Sequence, residues 1–246
     1  MSAQEWLQKP VKNSDLMWEK VREVLIDTKN VLSHEALVEI KPSARLSVYS
    51  AYYHDHIAGA LLPVYTRESI LEKLYQLLEK LPENLGILVL DAWRPIAVQA
   101  ALRHDFRDNL VVEYPNFNDA QIDEILNQFV AKPSQDPMAP SPHLTGGSID
   151  LTLFDVASNQ ELDMGTSFDA MDEASWSHYF EESDDLETRQ IRDNRRLLIH
   201  GMRSVGFSNL PSEWWHFDFG NQLWGYYTEN KAFYGITDIK DVKKSS

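Results

Sequence analysis

The stretch Ser141-Pro142-His143-Leu144-Thr145-Gly146-Gly147-Ser148-Ile149-Asp150-Leu151-Thr152-Leu153 decides how the rest of the chain is read. Its second half alternates apolar and polar residues from Ile149 to Leu153, the pattern of a strand with two unlike faces. Its first half sets a histidine seven positions before Asp150. In a regular strand such a pair would face opposite sides, so His143 and Asp150 converge only if the backbone turns between them. Gly146-Gly147 permits that turn, because glycine takes positive φ freely.

A second segment, Glu213-Trp214-Trp215-His216, complements the first. Imidazole nitrogen and carboxylate oxygen are both good ligands for a borderline-soft divalent ion, and a hydrolytic zinc site uses three protein ligands with one position left for water. His143, Asp150 and His216 supply that number. Spacing alone also admits ordinary polar residues on a strand and a turn, and favours them slightly, since no pair here has the specificity of a helical His-Glu-x-x-His. Glu213, three residues from His216, meets the same parity problem and is expected just before its strand or at a bulge.

Working outward, the four prolines between Lys132 and Pro142 bar both helix and central strand, so a rigid loop leads into His143. Gly86-Ile87-Leu88-Val89-Leu90 reads as a central strand ending in Asp91-Ala92-Trp93-Arg94-Pro95. That ending supports two readings equally: delivery of a site arginine, or an Asp91–Arg94 ion pair holding the corner. Helices are expected from Thr66 to Leu81, from Pro95 to about Leu110, from Asp119 to Ala131, and along Ile191, Leu197, Leu198, Met202 and Val205 up to Gly206. The acidic run Glu181, Glu182, Asp184, Asp185 suits the N-terminus of the last of these. Short strands are expected between Leu37 and Tyr53, and a hairpin turn at Ser158-Asn159.

Toward the N-terminus, Leu16, Met17, Val21, Val24 and Leu25 predict one helix within residues 13–30, capped by Asn13 or Ser14 and packed on the main body or on another subunit. The cluster His54-Asp55-His56 beside Tyr52 and Tyr53 reads as a surface loop next to a pocket, with a second metal site as its alternative. The fold class implied is α+β: an antiparallel core sheet flanked by helices in residues 37–246, preceded by an N-terminal helical extension at 1–36. A doubly wound parallel sheet is disfavoured, because the strands cluster around hairpins.

Composition narrows the functions. The 246 residues, 43% of them hydrophobic, suffice for one full core or two small ones, and one domain with an added segment is the preferred reading. A formal charge of −15, from 23 basic and 38 acidic residues, repels phosphate backbones and anionic lipid, so nucleic acid and membrane are not expected partners. Without cysteine, thiolate metal sites and thiol nucleophiles are excluded. The N-terminal residues lack a basic and apolar leader pattern, and no apolar run approaches membrane-spanning length; both point to a cytoplasmic protein.

A zinc peptidase needs a base for the attacking water and a positive donor for the oxyanion. Glu213 is the natural base and Arg94 the natural donor, though spacing alone assigns neither. The set Asp91-x-x-Arg94-Pro95, Ser141-x-His143-x-x-Gly146-x-x-x-Asp150-Leu-Thr-Leu, Met164-Gly-x-x-Phe168-Asp169 and Glu213-Trp-Trp-His216 resembles the zinc D-alanyl-D-alanine dipeptidases of the VanX type. These share a fold with D-Ala-D-Ala carboxypeptidases and the hedgehog signalling domain.

The resemblance implies one zinc ion per chain on His143, Asp150 and His216, with Glu213 as base and later proton donor to the leaving amine. It implies Arg94 on the carbonyl oxygen, Asp169 on the substrate ammonium, Ser141 near the dipeptide carboxylate and Asp91 as support for the site. For Asp169 elementary chemistry agrees, since a fixed carboxylate recognises a free amine by a charge-assisted hydrogen bond. The implied reaction is hydrolysis of free D-alanyl-D-alanine by metal-activated water, in cell-wall dipeptide turnover or precursor depletion. The alternatives are a carboxypeptidase on longer wall peptides and a catalytically silent zinc-binding module. The resemblance runs from about Leu37 to about Gly220. The first 36 residues are additional to it and residues 49–53 match loosely, which leaves side-chain preference and a homo-oligomer open.

Overall fold

The computed structural model describes residues 2–183 and 185–243, with the backbone only for Gln128 and Phe129. Helices α1 (Ala3–Leu7) and α2 (Trp18–Glu23) precede strands β1 (Leu37–Glu39) and β2 (Leu46–Val48), then α3 (Ala51–His54) and β3 (Tyr65–Arg67). Helix α4 (Glu68–Lys80) leads into β4 (Leu85–Asp91), followed by α5 (Ile96–Glu113) and α6 (Asp119–Phe129). Strands β5 (Ser148–Asp155) and β6 (Gln160–Glu161), α7 (Leu186–Ser204), β7 (Ser208–Asn209), β8 (His216–Asp218) and α8 (Gln222–Thr228) complete the chain.

The main sheet has the order β2-β4-β5-β8-β7, with β6 paired to β5 as the expected hairpin, while β1 and β3 pair separately. Every pair in the main sheet is antiparallel except β2 with β4, which is parallel. The antiparallel expectation therefore misses one edge: β2 returns to β4 through α4, and a helical crossover delivers a parallel neighbour.

One face of the sheet makes the core. Ile87 and Val89 of β4, and Ile149, Leu151 and Leu153 of β5, pack with Ile70, Leu74 and Leu77 of α4 and Leu198, Ile199 and Met202 of α7. All of these are fully buried, each contributing about 1.5–3 kcal/mol. The α4 stripe recurs at the three- and four-residue steps that put it on one side of a helix. At Gly201 of α7 a Cβ would lie 2.9 Å from Leu77, so the absent side chain is what lets α7 approach α4 this closely.

Within residues 13–30 the expected helix is present but short: α2 covers only Trp18–Glu23, and its N-cap is Met17, which offers no side-chain acceptor, in place of Asn13 or Ser14. A separate short helix, α1, held by a Ser2–Glu5 capping box, precedes it. Val24 is already extended, so Val24 and Leu25 leave the helical period. Trp6, fully buried, and Val11 join the same apolar cluster as the sheet, and Val11 N donates to Glu181 at 2.7 Å. Glu181 also pairs with Arg196 of α7 and so lies away from that helix's N-terminus, where Asp185 caps by accepting from Thr188 N. Asp184 lies outside the described residues. Among the described residues no helix is long and apolar enough to cross a membrane.

Candidate metal centre and its cavity

Strand register builds the centre. The β5–β8 ladder pairs Asp150 with His216, and the β4–β5 ladder pairs Asp91 with Asp150 after an irregularity between Val89 and Asp91. Asp91, Asp150 and His216 thus form a row across three neighbouring strands, the geometry in which directly opposed side chains touch. The irregularity skips Leu90, which stays in the buried interior while Asp91 comes opposite Asp150.

His143 reaches this row from outside the sheet. It sits in a 3₁₀ turn, Pro142–Thr145, ended by Gly146 in the left-handed region at φ 70°. A Cβ there would meet Leu37 at 2.9 Å, so glycine is required by conformation and by space. The turn resolves the parity problem between His143 and Asp150. Glu213 resolves its own by standing ahead of β8, with Oε2 3.8 Å from His216 Nδ1. The corner carrying it is pinned by buried Trp214, whose backbone N donates to Ser175 and whose Nε1 donates to Thr166 Oγ1.

The three candidate ligands converge. His143 Nε2 lies 3.2 Å from His216 Nδ1 and 3.4 Å from Asp150 Oδ2, and His216 Nδ1 lies 3.0 Å from Asp150 Oδ1. Behind them, His143 Nδ1 faces the Ala92 carbonyl at 2.6 Å and His216 Nε2 faces Asp218 at 3.1 Å. A carbonyl only accepts, so His143 carries its proton on Nδ1; donation to Asp218 likewise puts the proton of neutral His216 on Nε2. Two nitrogen lone pairs and a carboxylate then face one another, and only a cation or a proton reconciles them. A tetrahedral zinc site with arms of about 2.0–2.1 Å has ligand–ligand edges of about 3.3 Å, which the observed separations match. His143, Asp150 and His216 are therefore able to hold a metal ion.

The electrostatics suit a cation. Burial pushes Glu213 up to about 8 and Asp91 up to about 7, and lowers His143 to about 3 with help from Arg94. Burial alone would raise Asp150, but His143, His216 and Arg94 outweigh it and hold the carboxyl below the usual range. Burial likewise opposes charge on His216, yet Asp218 and Asp150 prevail and raise it. A metal at the shared point would replace that proton and draw the neighbouring carboxyls back toward ionisation.

Arg94 fulfils both readings of its corner. Its Nε donates to Asp91 at 2.9 Å, while its Nη atoms donate to Gln99 at 2.7 Å and to Tyr52 and Asp150 at 3.2 Å each. It also lines a cavity of about 80 Å³ together with His143, Asp150, Glu213, His216 and Asp169. Asp169 is held at φ 60° and accepts from the Tyr52 hydroxyl at 3.4 Å. Although its surface is open, the crowding walls withdraw water and push its carboxyl up to about 6. Tyr52, Phe168 and Trp215 form a chain of ring contacts beside it.

Not every sequence candidate enters the cavity. Ser141 lines a neighbouring cleft, where its hydroxyl accepts from Ser134 N at 2.8 Å and fastens the proline-rich loop. His54, Asp55 and His56 are exposed, with His54 stacked on Tyr49. Sequence reasoning passed over Asp218, Gln99, and the N-terminal residues Leu16 and Trp18 on the cavity wall. Asp218 had a signal, two residues after His216 on one strand face; the wall residues had none.

Comparison with known proteins points the same way. A family model described as Peptidase_M15, D-ala-D-ala dipeptidase, matches residues 64–235. A D-alanyl-D-alanine dipeptidase of Synechocystis sp. is 35% identical over 182 residues, 67% of this chain and 72% of that protein. Proteins with the same description from Enterococcus faecalis and Escherichia coli are 36% and 37% identical over 137 and 135 residues, covering 61% and 55% of their own lengths. Those matches take in 54% and 55% of this chain.

Proposed function

The chain belongs to the Peptidase_M15 family of D-Ala-D-Ala dipeptidases, and from that premise we propose that it hydrolyses free D-alanyl-D-alanine with one zinc ion per chain. The observation that carries the reading is the meeting of His143 Nε2, His216 Nδ1 and Asp150 in one cavity with Glu213, Arg94 and Asp169. His143, Asp150 and His216 would hold the zinc, whose chemistry is to acidify a water and polarise a carbonyl.

In this reading Asp169 receives the substrate ammonium and fixes which peptide bond lies over the centre. Glu213 takes a proton from the attacking water at its carboxylate and passes it to the leaving amine. Arg94 donates to the oxygen that gains charge; Asp91, Gln99 and Tyr52 keep its guanidinium fixed, so little reorganisation is needed. Asp91 also lies 3.3 Å from His143 Nδ1 and so supports a ligand and the donor at once. Ser141 acts from further away, by holding the loop that delivers His143. The substrate pool would be dipeptide from cell-wall turnover or wall precursors.

The presence of both Glu213 and Arg94 argues against a silent zinc-binding module. Free D-Ala-D-Ala and its N-acetyl derivative separate a dipeptidase from a carboxypeptidase. The acetylated peptide is expected to be cleaved at least about 100-fold more slowly, because Asp169 is left without its cation. Equal rates would remove the dipeptidase reading.

A further inference from the structure

The N-terminal arm, which precedes the family-matched residues 64–235, supplies part of the cavity wall. It is tied down at several points. Gln222 Nε2 donates to the Val24 carbonyl at 2.7 Å and to the Met138 carbonyl at 3.0 Å, Asp27 N donates to the Ala232 carbonyl at 2.7 Å, and Val21 packs with buried Leu210 and Leu223. Between these anchors and the α1 segment, Leu16 and Trp18 are half-buried against the same cluster and face the catalytic cavity.

Beyond that wall lies a second, larger space of about 590 Å³, against about 80 Å³ for the catalytic cavity. The residues common to both are Trp18, Asn127, Val130, Ala131, Pro142 and Leu223. Hydrogen bonds run along the cavity from Asp169 to Tyr52, Arg94, Gln99 and then the Ala131 carbonyl, so the shared wall lies at the end of that chain opposite the group proposed to take the substrate ammonium. A peptide whose amine rests on Asp169 and whose first peptide bond lies over the metal centre has this far end of the cavity ahead of a third residue. Of the six, Leu223 and Pro142 are fixed by core packing and by the turn that carries His143, whereas Trp18 is a large side chain brought in by a surface arm.

We infer that Trp18 is the partition that stops the substrate at two residues, and that the cleft behind it would accept a C-terminal extension if the indole were removed. This rests on the dipeptidase reading and adds the residue that sets substrate length. It acts by filling space: an indole occupies the path that a third residue would take, and a site discriminates by such exclusion as effectively as by attraction.

The test compares D-Ala-D-Ala with D-Ala-D-Ala-Gly, scoring release of D-alanyl-glycine, in the full chain and in Trp18→Ala and Trp18→Phe. The parent is expected to cleave the tripeptide poorly. In Trp18→Ala the ratio of tripeptide to dipeptide kcat/KM is expected to rise by about tenfold or more, with Trp18→Phe near the parent. If Trp18→Ala loses its fold by circular dichroism, Trp18→Leu keeps an apolar contact with Leu210 and Leu223 and carries the same comparison. An unchanged ratio in a variant that still cleaves dipeptide overturns the partition and leaves the dipeptidase reading standing. Rapid tripeptide cleavage by the parent also overturns the partition. Failure of the parent to cleave either peptide removes the underlying reading, and this inference with it.

Discussion

His216 and Asp218 stand two positions apart on one strand, with His216 Nε2 3.1 Å from the Asp218 carboxylate. The carboxylate is itself held by the Ser148 hydroxyl and the Asn221 amide, each at 2.7 Å. It therefore fixes both the ring orientation and the tautomer that turns the Nδ1 lone pair toward Asp150 and His143. Asp218→Asn is expected to weaken zinc binding by about 10–100-fold, read by competition with a chelator of known affinity. Unaltered affinity would mean that strand geometry alone orients His216.

In the proposed reaction Glu213 handles protons without holding the metal. Glu213→Gln is expected to bind zinc like the parent while losing about 100-fold or more in kcat. Metal content and turnover measured on one preparation check this. Loss of metal together with activity would make Glu213 a ligand.

The proposed role of Asp169 predicts a pH dependence. Its carboxyl is raised to about 6, so it is charged above that pH and neutral below it. A bound cation would draw this carboxyl back toward ionisation, so in the zinc-loaded protein it titrates below that value; attraction for a substrate ammonium is lost as pH falls through it, and KM for D-Ala-D-Ala is expected to rise on the acid side, below about pH 6. Asp169→Asn tolerates the same left-handed backbone and removes only the charge. It should show a high KM without this acid limb; a limb of parental shape in the variant would assign the titration elsewhere.

How far the chain could be read in advance follows from which forces are local. The stripe from Ile70 to Leu78 and the apolar run Gly86–Leu90 carry their own periodicity, so α4 and β4 are readable from the sequence. The turn at Gly146 was readable because an unturned chain would have separated His143 from Asp150. The register that puts Asp150 opposite both Asp91 and His216 was not, since pairing is selected by contacts across the whole sheet. The N-terminal segment misled for the same reason: Leu16, Val21 and Val24 have helical spacing, but docking on Leu210, Leu223 and Gln222 decides its path. Nothing local in Trp18 signals a place beside the metal centre.

Arg195 connects α7 to the segment bearing Asp169. Buried at 1% exposure, it donates to the carbonyls of Met164, Ala174 and Trp176 at 2.8, 2.6 and 2.7 Å, which bracket residue 169 on both sides. Arg195→Met leaves the Met164 and Ala174 carbonyls without a donor, while the Trp176 carbonyl keeps Tyr179 N, and is expected to cost about 3 kcal/mol in denaturant unfolding. In the folded fraction KM should rise more than kcat falls, because the displaced group, Asp169, is proposed to bind the substrate and not to react. A variant with unchanged KM would confine Arg195 to stability.

The most direct test is a zinc titration of chelator-treated protein, following hydrolysis of D-Ala-D-Ala. Negligible turnover is expected without metal, then a linear rise and a break at one equivalent per chain, all abolished in His216→Ala. Full turnover in the zinc-free protein, or no D-Ala-D-Ala hydrolysis at one equivalent, would contradict the proposed function.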